Sequence, residues 1–177
     1  LEVMVAAALS ALAALIFLAF LTSGYNFVLA TESFGVQAAS ARNALDRMVR
    51  LGSTATSHQV YASYAAYTTG TPVSPPGTPG ACLRLVTPTG NWVFWRDSAT
   101  SELRYLQEGT ARRGVLARGI TDFQARCLFA DQVQVTLTAT TASASDINTT
   151  LTVTSSVYHR NGTTGPCTLG PLRRRPA

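Results

Sequence analysis

Glu2 is the first residue whose chemistry demands an explanation. It stands at the edge of a run, Val3 to Leu21, in which every residue but Ser10 is apolar and none is charged. A carboxylate carried into an apolar medium needs either a proton or a cationic partner. The thiols come next. Cys82, Cys127 and Cys167 include no CxxC pair and none lies at metal-ligand spacing from a histidine, which argues against zinc. In an oxidising compartment an odd count points to one disulfide and one thiol left over. His58 and His159 are isolated, Asp97, Glu102, Asp122 and Asp131 are dispersed, and there is no GxSxG, HExxH, P-loop or GxGxxG pattern. The expectation is a protein with no catalytic residues, no cofactor and no metal, calcium included.

The net charge of +5 comes largely from Arg173, Arg174, Arg175, Arg112 and Arg113. Nucleic-acid readers show a basic stripe or basic residues interleaved with aromatics, and neither pattern is present, so nucleic acid is not expected as a partner. The run at 173–175 reads as a solvated basic tail.

The elements that must position these groups can be read in order. Val3 to Leu21 contains no Gly, no Pro and no charge, is apolar all round, and at ~1.5 Å per residue matches the ~30 Å hydrocarbon layer. A signal peptide would open on positive charge, and this run opens on Leu1-Glu2. After Gly24, the residues Phe27, Phe34, Ala38, Ala41, Leu45 and Met48 form a helical stripe, with Arg42/Asp46 and Asp46/Arg50 as i,i+4 pairs on the other side. The spacing predicts one helix ending near Gly52, with Thr22-Ser23-Gly24 as a place for local unwinding. From Ser53 to Gly80 the composition turns to Ser, Thr, Tyr, Pro and Gly, which reads as a long surface loop. Within it Tyr61, Tyr64 and Tyr67 suit a short helical turn. Tyrosines in a row suggest electron transport, but packing onto the head or onto a neighbour is the ordinary role of such a row.

Beyond Gly80 the period becomes strand-like. Cys82 to Val86 and Asn91 to Arg96 flank Pro88-Thr89-Gly90 as a hairpin. Strands follow at Leu103–Leu106, in a longer stretch from Gly114 to Cys127, at Asp131–Thr140 and at Leu151–Tyr158. The fold class is therefore α+β: a long N-terminal helix, apolar in its first half and amphipathic in its second, packed on a C-terminal antiparallel β-sheet head of five or six strands. The helix takes residues 1–53, with 1–23 as its transmembrane or filament-core part. The head takes 54–177, with a Pro/Ser/Thr-rich loop at 68–80.

Leu1-Glu2-Val3-Met4-Val5-Ala6 resembles the opening of a mature type IV pilin or type II secretion pseudopilin. In that family an aliphatic–Glu pair follows an N-terminal Phe and two further residues, so the family's methylated N-terminal residue has no counterpart among the positions given. The resemblance implies that the Glu2 carboxylate pairs with the N-terminal amine of a neighbouring subunit. It also implies that Leu1, Val3, Leu9, Leu12, Ile16, Phe17 and Phe20 pack against other copies. A second likeness lies in the order of head segments, Leu103-Arg104-Tyr105, Val115 to Phe123, Val133 to Thr138 and a closing strand ending at Arg160-Asn161. This order is similar to minor pilins of the PilW type and to J-type pseudopilins.

If the strand ending at Cys127 turns back into the next, and the last strand runs antiparallel to that one, Cys127 and the tail after Arg160 share an end of the sheet. A Cys127–Cys167 bridge then pins the tail, as the family's C-terminal disulfide loop does, and stabilises the head by ~3–4 kcal/mol. Cys82 is then a small buried residue, and a Cys82–Cys127 bridge is the alternative. Asn148-Thr149-Thr150 and Asn161-Gly162-Thr163 match the N-glycosylation sequon, and the loops at 68–78 and 138–150 are rich enough in Thr and Ser for O-linked sugars.

The functional expectation is a structural subunit of an extracellular type IV pilus-like filament, serving adhesion, surface contact or motility. The alternative is a minor pilin or pseudopilin that initiates assembly at the tip of a pilus or secretion pseudopilus. A membrane-anchored binding or enzyme domain is a distant third. The resemblance implies as partners further copies of the chain in a helical filament, other pilins, the pilus assembly machinery and the prepilin peptidase. It places the chain in the inner membrane before assembly and on the cell surface afterwards.

Overall fold

The computed structural model describes residues 2–73, 77–129, 131–141 and 149–158. Helix α1 (Glu2–Ser53) is unbroken for 52 residues, ~78 Å by its rise. Ala41, Ala44, Leu45 and Met48 are its buried side chains, with Gly52 buried in the last turn. These positions repeat at three and four, so they form the stripe that meets the sheets. The expected stripe is shorter than its sequence pattern. Phe34 is half-buried, but Phe27 lies ahead of the head and is exposed. Arg42, Asp46 and Arg50 form no ion pair among the described residues, in keeping with how little such exposed pairs contribute.

The head holds two antiparallel sheets rather than one. The first has the order β1-β2-β3-β4-β5, formed by Ser57–Tyr61, Cys82–Thr87, Gly90–Asp97, Glu102–Gln107 and Arg113–Arg118. The second has the order β6-β7-β8, formed by Ile120–Phe129, Gln132–Thr141 and Thr149–Tyr158. The stretch expected as one strand from Gly114 to Cys127 is divided at Gly119, whose φ of +70° turns the chain from one sheet to the other. Its carbonyl accepts from Thr140 N at 3.3 Å, and Ile120 N donates to Ser101 O at 2.9 Å, so both sides of the corner are held. Gly80 and Ala125 exchange backbone hydrogen bonds of 2.9 and 2.8 Å, a second tie between the sheets.

The hairpin around Pro88-Thr89 forms as expected, with Thr87 opposite Gly90. The segment expected as a surface loop does not stay one. Residues 57–61 pair with β2 along their whole length, and α2 (Tyr64–Thr68) follows, capped by the Ser63 hydroxyl accepting from Ala66 N at 3.2 Å. Its Ser/Thr/Pro composition concealed a short strand that exists only because β2 supplies its ladder. One core lies between α1 and the inner faces of both sheets. Met48 and Leu45 meet Leu83, Leu85, Phe94 and Leu103 from the first sheet and Phe123, Val135, Leu137 and Val157 from the second. Thr138 to Thr141 belong to β7, so that part of the expected loop at 138–150 is strand.

Candidate assembly interface

The apolar half of α1 touches nothing in its own chain. None of its most apolar 18-residue window, mean hydropathy 2.6, is buried inside the protein, and it is long and apolar enough to cross a membrane. Val3 is 82% exposed and Phe20 73%, with Leu9, Leu12, Ile16 and Phe17 all above half. Of the residues expected to mediate assembly, Leu1 lies outside the described residues. Leu9, Leu12, Ile16 and Phe20, spaced by three and four, share one face, with Phe17 and Val3 beside it. Met4, Val5, Ala8, Leu9 and Leu12 line a shallow depression of the kind that accepts a knob from a facing helix.

Polar groups within this half are satisfied internally. Ser10 Oγ donates to Ala6 O at 2.9 Å and Thr22 Oγ1 to Leu18 O at 2.8 Å. These bonds suit an environment without water. The helix does not unwind at Thr22-Ser23-Gly24 as expected but runs on through it. Glu2 lies in the first turn, exposed, where the helix dipole favours a carboxylate, and forms no ion pair among the described residues.

Exposed apolar surface also continues past the expected boundary at residue 23. Tyr25, Phe27, Val28 and Leu29 stand free of the head, the first charge after Glu2 is Glu32, and Val36 already borders a groove against Val115 to Arg118 of the head. From Val3 to Leu29 the helix rises ~39 Å, against ~30 Å of bilayer hydrocarbon. Neither a protein-family model, nor a curated protein, nor a solved structure matches the chain.

The outer face of the first sheet carries a network that the sequence did not disclose. Glu108 accepts from Arg84 Nε and Nη2 at 2.7 and 2.8 Å, from Tyr67 Oη at 2.7 Å and from Asn91 Nδ2 at 2.7 Å. The Arg84 guanidinium holds the carboxyl down at about 2, and burial together with Glu108 pushes the Tyr67 phenol up. Tyr61 and Tyr67 meet edge to face and Tyr64 stacks on Trp95, so the tyrosine row packs α2 onto the head. Residues 17 to 41 apart in sequence meet at Glu108, and only the outward phase of their strands hinted at it.

Cys82 is a free thiol with no exposure, and burial pushes it up to about 12, so the alternative Cys82–Cys127 bridge is not formed. Cys127 sits opposite Val133 in β6 and is not free. Its expected partner Cys167 lies outside the described residues, as do Asn148, Asn161 and His159. His58 is buried in β1. Among the described residues no three His, Cys, Asp or Glu side chains gather to hold a metal ion.

Proposed function

We propose that the chain is a structural subunit of a type IV pilus-like filament, held in a membrane by α1 before assembly and packed through α1 against other copies afterwards, with heads outward. One observation carries this reading: exposed apolar helix surface that outruns the bilayer hydrocarbon by ~10 Å. A lone anchor has no cover for Tyr25 to Leu29, whereas neighbouring helices and heads would cover it. Within the filament the Glu2 carboxylate pairs with the N-terminal amine of a neighbour, which removes the charge from the apolar bundle. The likeness of Leu1 to Ala6 to a mature pilin start supports the same assignment. The work of such a protein is packing and display rather than turnover.

The test is cryo-electron microscopy of filaments sheared from the source cells, together with a Phe27→Glu variant. The expected result is that this sequence fits the repeating density, and that the variant still inserts in membranes but forms no filaments. Filaments built of another protein would move the chain to an initiating position at the tip. Normal surface presentation of the variant in cells without filaments would leave a simple membrane anchor.

A further inference from the structure

Strand alternation sets Trp95, Arg104 and Val115 in one cross-strand row on the outer face of the five-stranded sheet, with Val93, Leu106 and Arg113 in the next. Helix α2 covers only part of this face. Its Tyr64 and Tyr67 pack over Tyr61, Cys82 and Val93. Its reach ends at Trp95, against which the Tyr64 ring lies parallel at 4.2 Å. Beyond that aromatic wall the β4–β5 half of the face is open. It forms a cleft of about 660 Å³ floored by Leu106 and Val115 and flanked by Arg104 and Arg113.

No carboxylate lines the cleft itself. Arg104 is held by Glu102 at 2.9 Å and Asp97 at 3.3 Å through Nη2 and Nε, both carboxylates standing in the neighbouring cross-strand row of the same face, so its charge is already matched there and its Nη1 is the edge turned to neither. Arg113 is exposed and forms no ion pair among the described residues. The uncompensated Arg113, with the Nη1 edge of Arg104 as a further donor, beside a flat aromatic wall suits a ligand that is both anionic and ring-shaped. A guanidinium takes a carboxylate in a forked, charge-assisted pair, while the C–H face of a sugar ring lies against an aromatic side chain. The volume falls in the range that holds a small ligand of one or two rings.

We propose that this cleft binds acidic saccharide, one uronic-acid-like residue of a longer chain sitting against the Tyr64–Trp95 wall with its carboxylate on Arg113 and Arg104. The site belongs to the single head and does not depend on filament assembly. Calorimetric titration of the full chain in zwitterionic detergent with trigalacturonate, maltotriose and inorganic phosphate tests it. Trigalacturonate is expected to bind, and the other two to give no saturable heat over the same range. Arg113→Gln should raise the dissociation constant about tenfold or more, while Arg112→Gln, next to it but outside the cleft, should leave it within about twofold. Absence of trigalacturonate binding overturns the proposal. Equal binding of phosphate leaves no role for the rings, and equal binding of maltotriose leaves none for the arginines. Equal losses from both substitutions would reduce the effect to diffuse charge, and each of these three results also overturns it.

Discussion

Glu108 concentrates more charge-assisted bonding than any other described side chain of the head, which gives it a measurable pH signature. Its folded value, about 2, lies below the ordinary 4.5. A depressed carboxyl stabilises fully above its unfolded value and loses that contribution as pH falls from about 4.5 towards 2. With about a quarter of both side chains exposed, the pair should contribute roughly 2 kcal/mol, less than a fully buried one. Glu108→Gln should lower unfolding stability at neutral pH by that amount and flatten the acid limb of the curve, as read by near-ultraviolet dichroism against urea. Cys82 gives a second residue-scale test. If Cys127 and Cys167 are joined, as the sequence leads us to expect, alkylation should label no thiol in the native chain and one after denaturation without reductant, against three after reduction. Neither Glu108 nor Arg84 was legible in the sequence as a partner of the other, because strand pairing rather than local spacing brings them together. Glu2 was legible, since a lone acid beside nineteen residues without charge stands out in any reading.

At the scale of elements, two glycines set how the parts meet. Gly119 turns one sheet into the other with φ of +70°, and a Cβ there would lie 2.9 Å from the Gln37 amide nitrogen. Gly119→Ala should cost about 1–2 kcal/mol, seen as a lower urea midpoint at unchanged slope. Gly52 lets the end of α1 approach β8, where an added Cβ would overlap Val157 Cγ1. Gly52→Ala should destabilise by roughly 1–3 kcal/mol, and adding Val157→Ala should recover part of the loss, a coupling that a double-mutant cycle reads directly. Most elements were readable where apolar alternation or an apolar run dominated, as in α1, β2, β3 and β7. The second sheet was not, because a single glycine inside a continuous strand pattern gives little warning that the strand changes partners. β1 was hidden for a different reason. Its five residues carry little alternation of their own, and their order is supplied by Leu83 and Leu85 across the ladder.

For the molecule as a whole, the helix divides between a part that serves the head and a part that serves something else. The buried residues of α1 begin at Ala41, with partial burial reaching back to Phe34 and Ala30. Deleting residues 1–31 therefore leaves the core stripe intact. The shortened chain should be monodisperse without detergent by size-exclusion chromatography and should unfold cooperatively, whereas the full chain should require a micelle. Failure of the short form to fold would mean that the exposed half of the helix supports the head in some way other than by contact.

The mismatch between helix and bilayer also bears on reversibility. Lipid tails are as apolar as leucine, so moving Val3 to Leu21 from bilayer to bundle changes little in free energy. That half of the helix is indifferent to which apolar neighbour it has. Tyr25 to Leu29 is not, because it lies past the hydrocarbon and ahead of the head, where only a protein neighbour can cover it. A filament of this chain would thus draw its cohesion from a short collar at the foot of the head, and the membrane would act as a reservoir into which subunits return with little resistance once that collar is loosened.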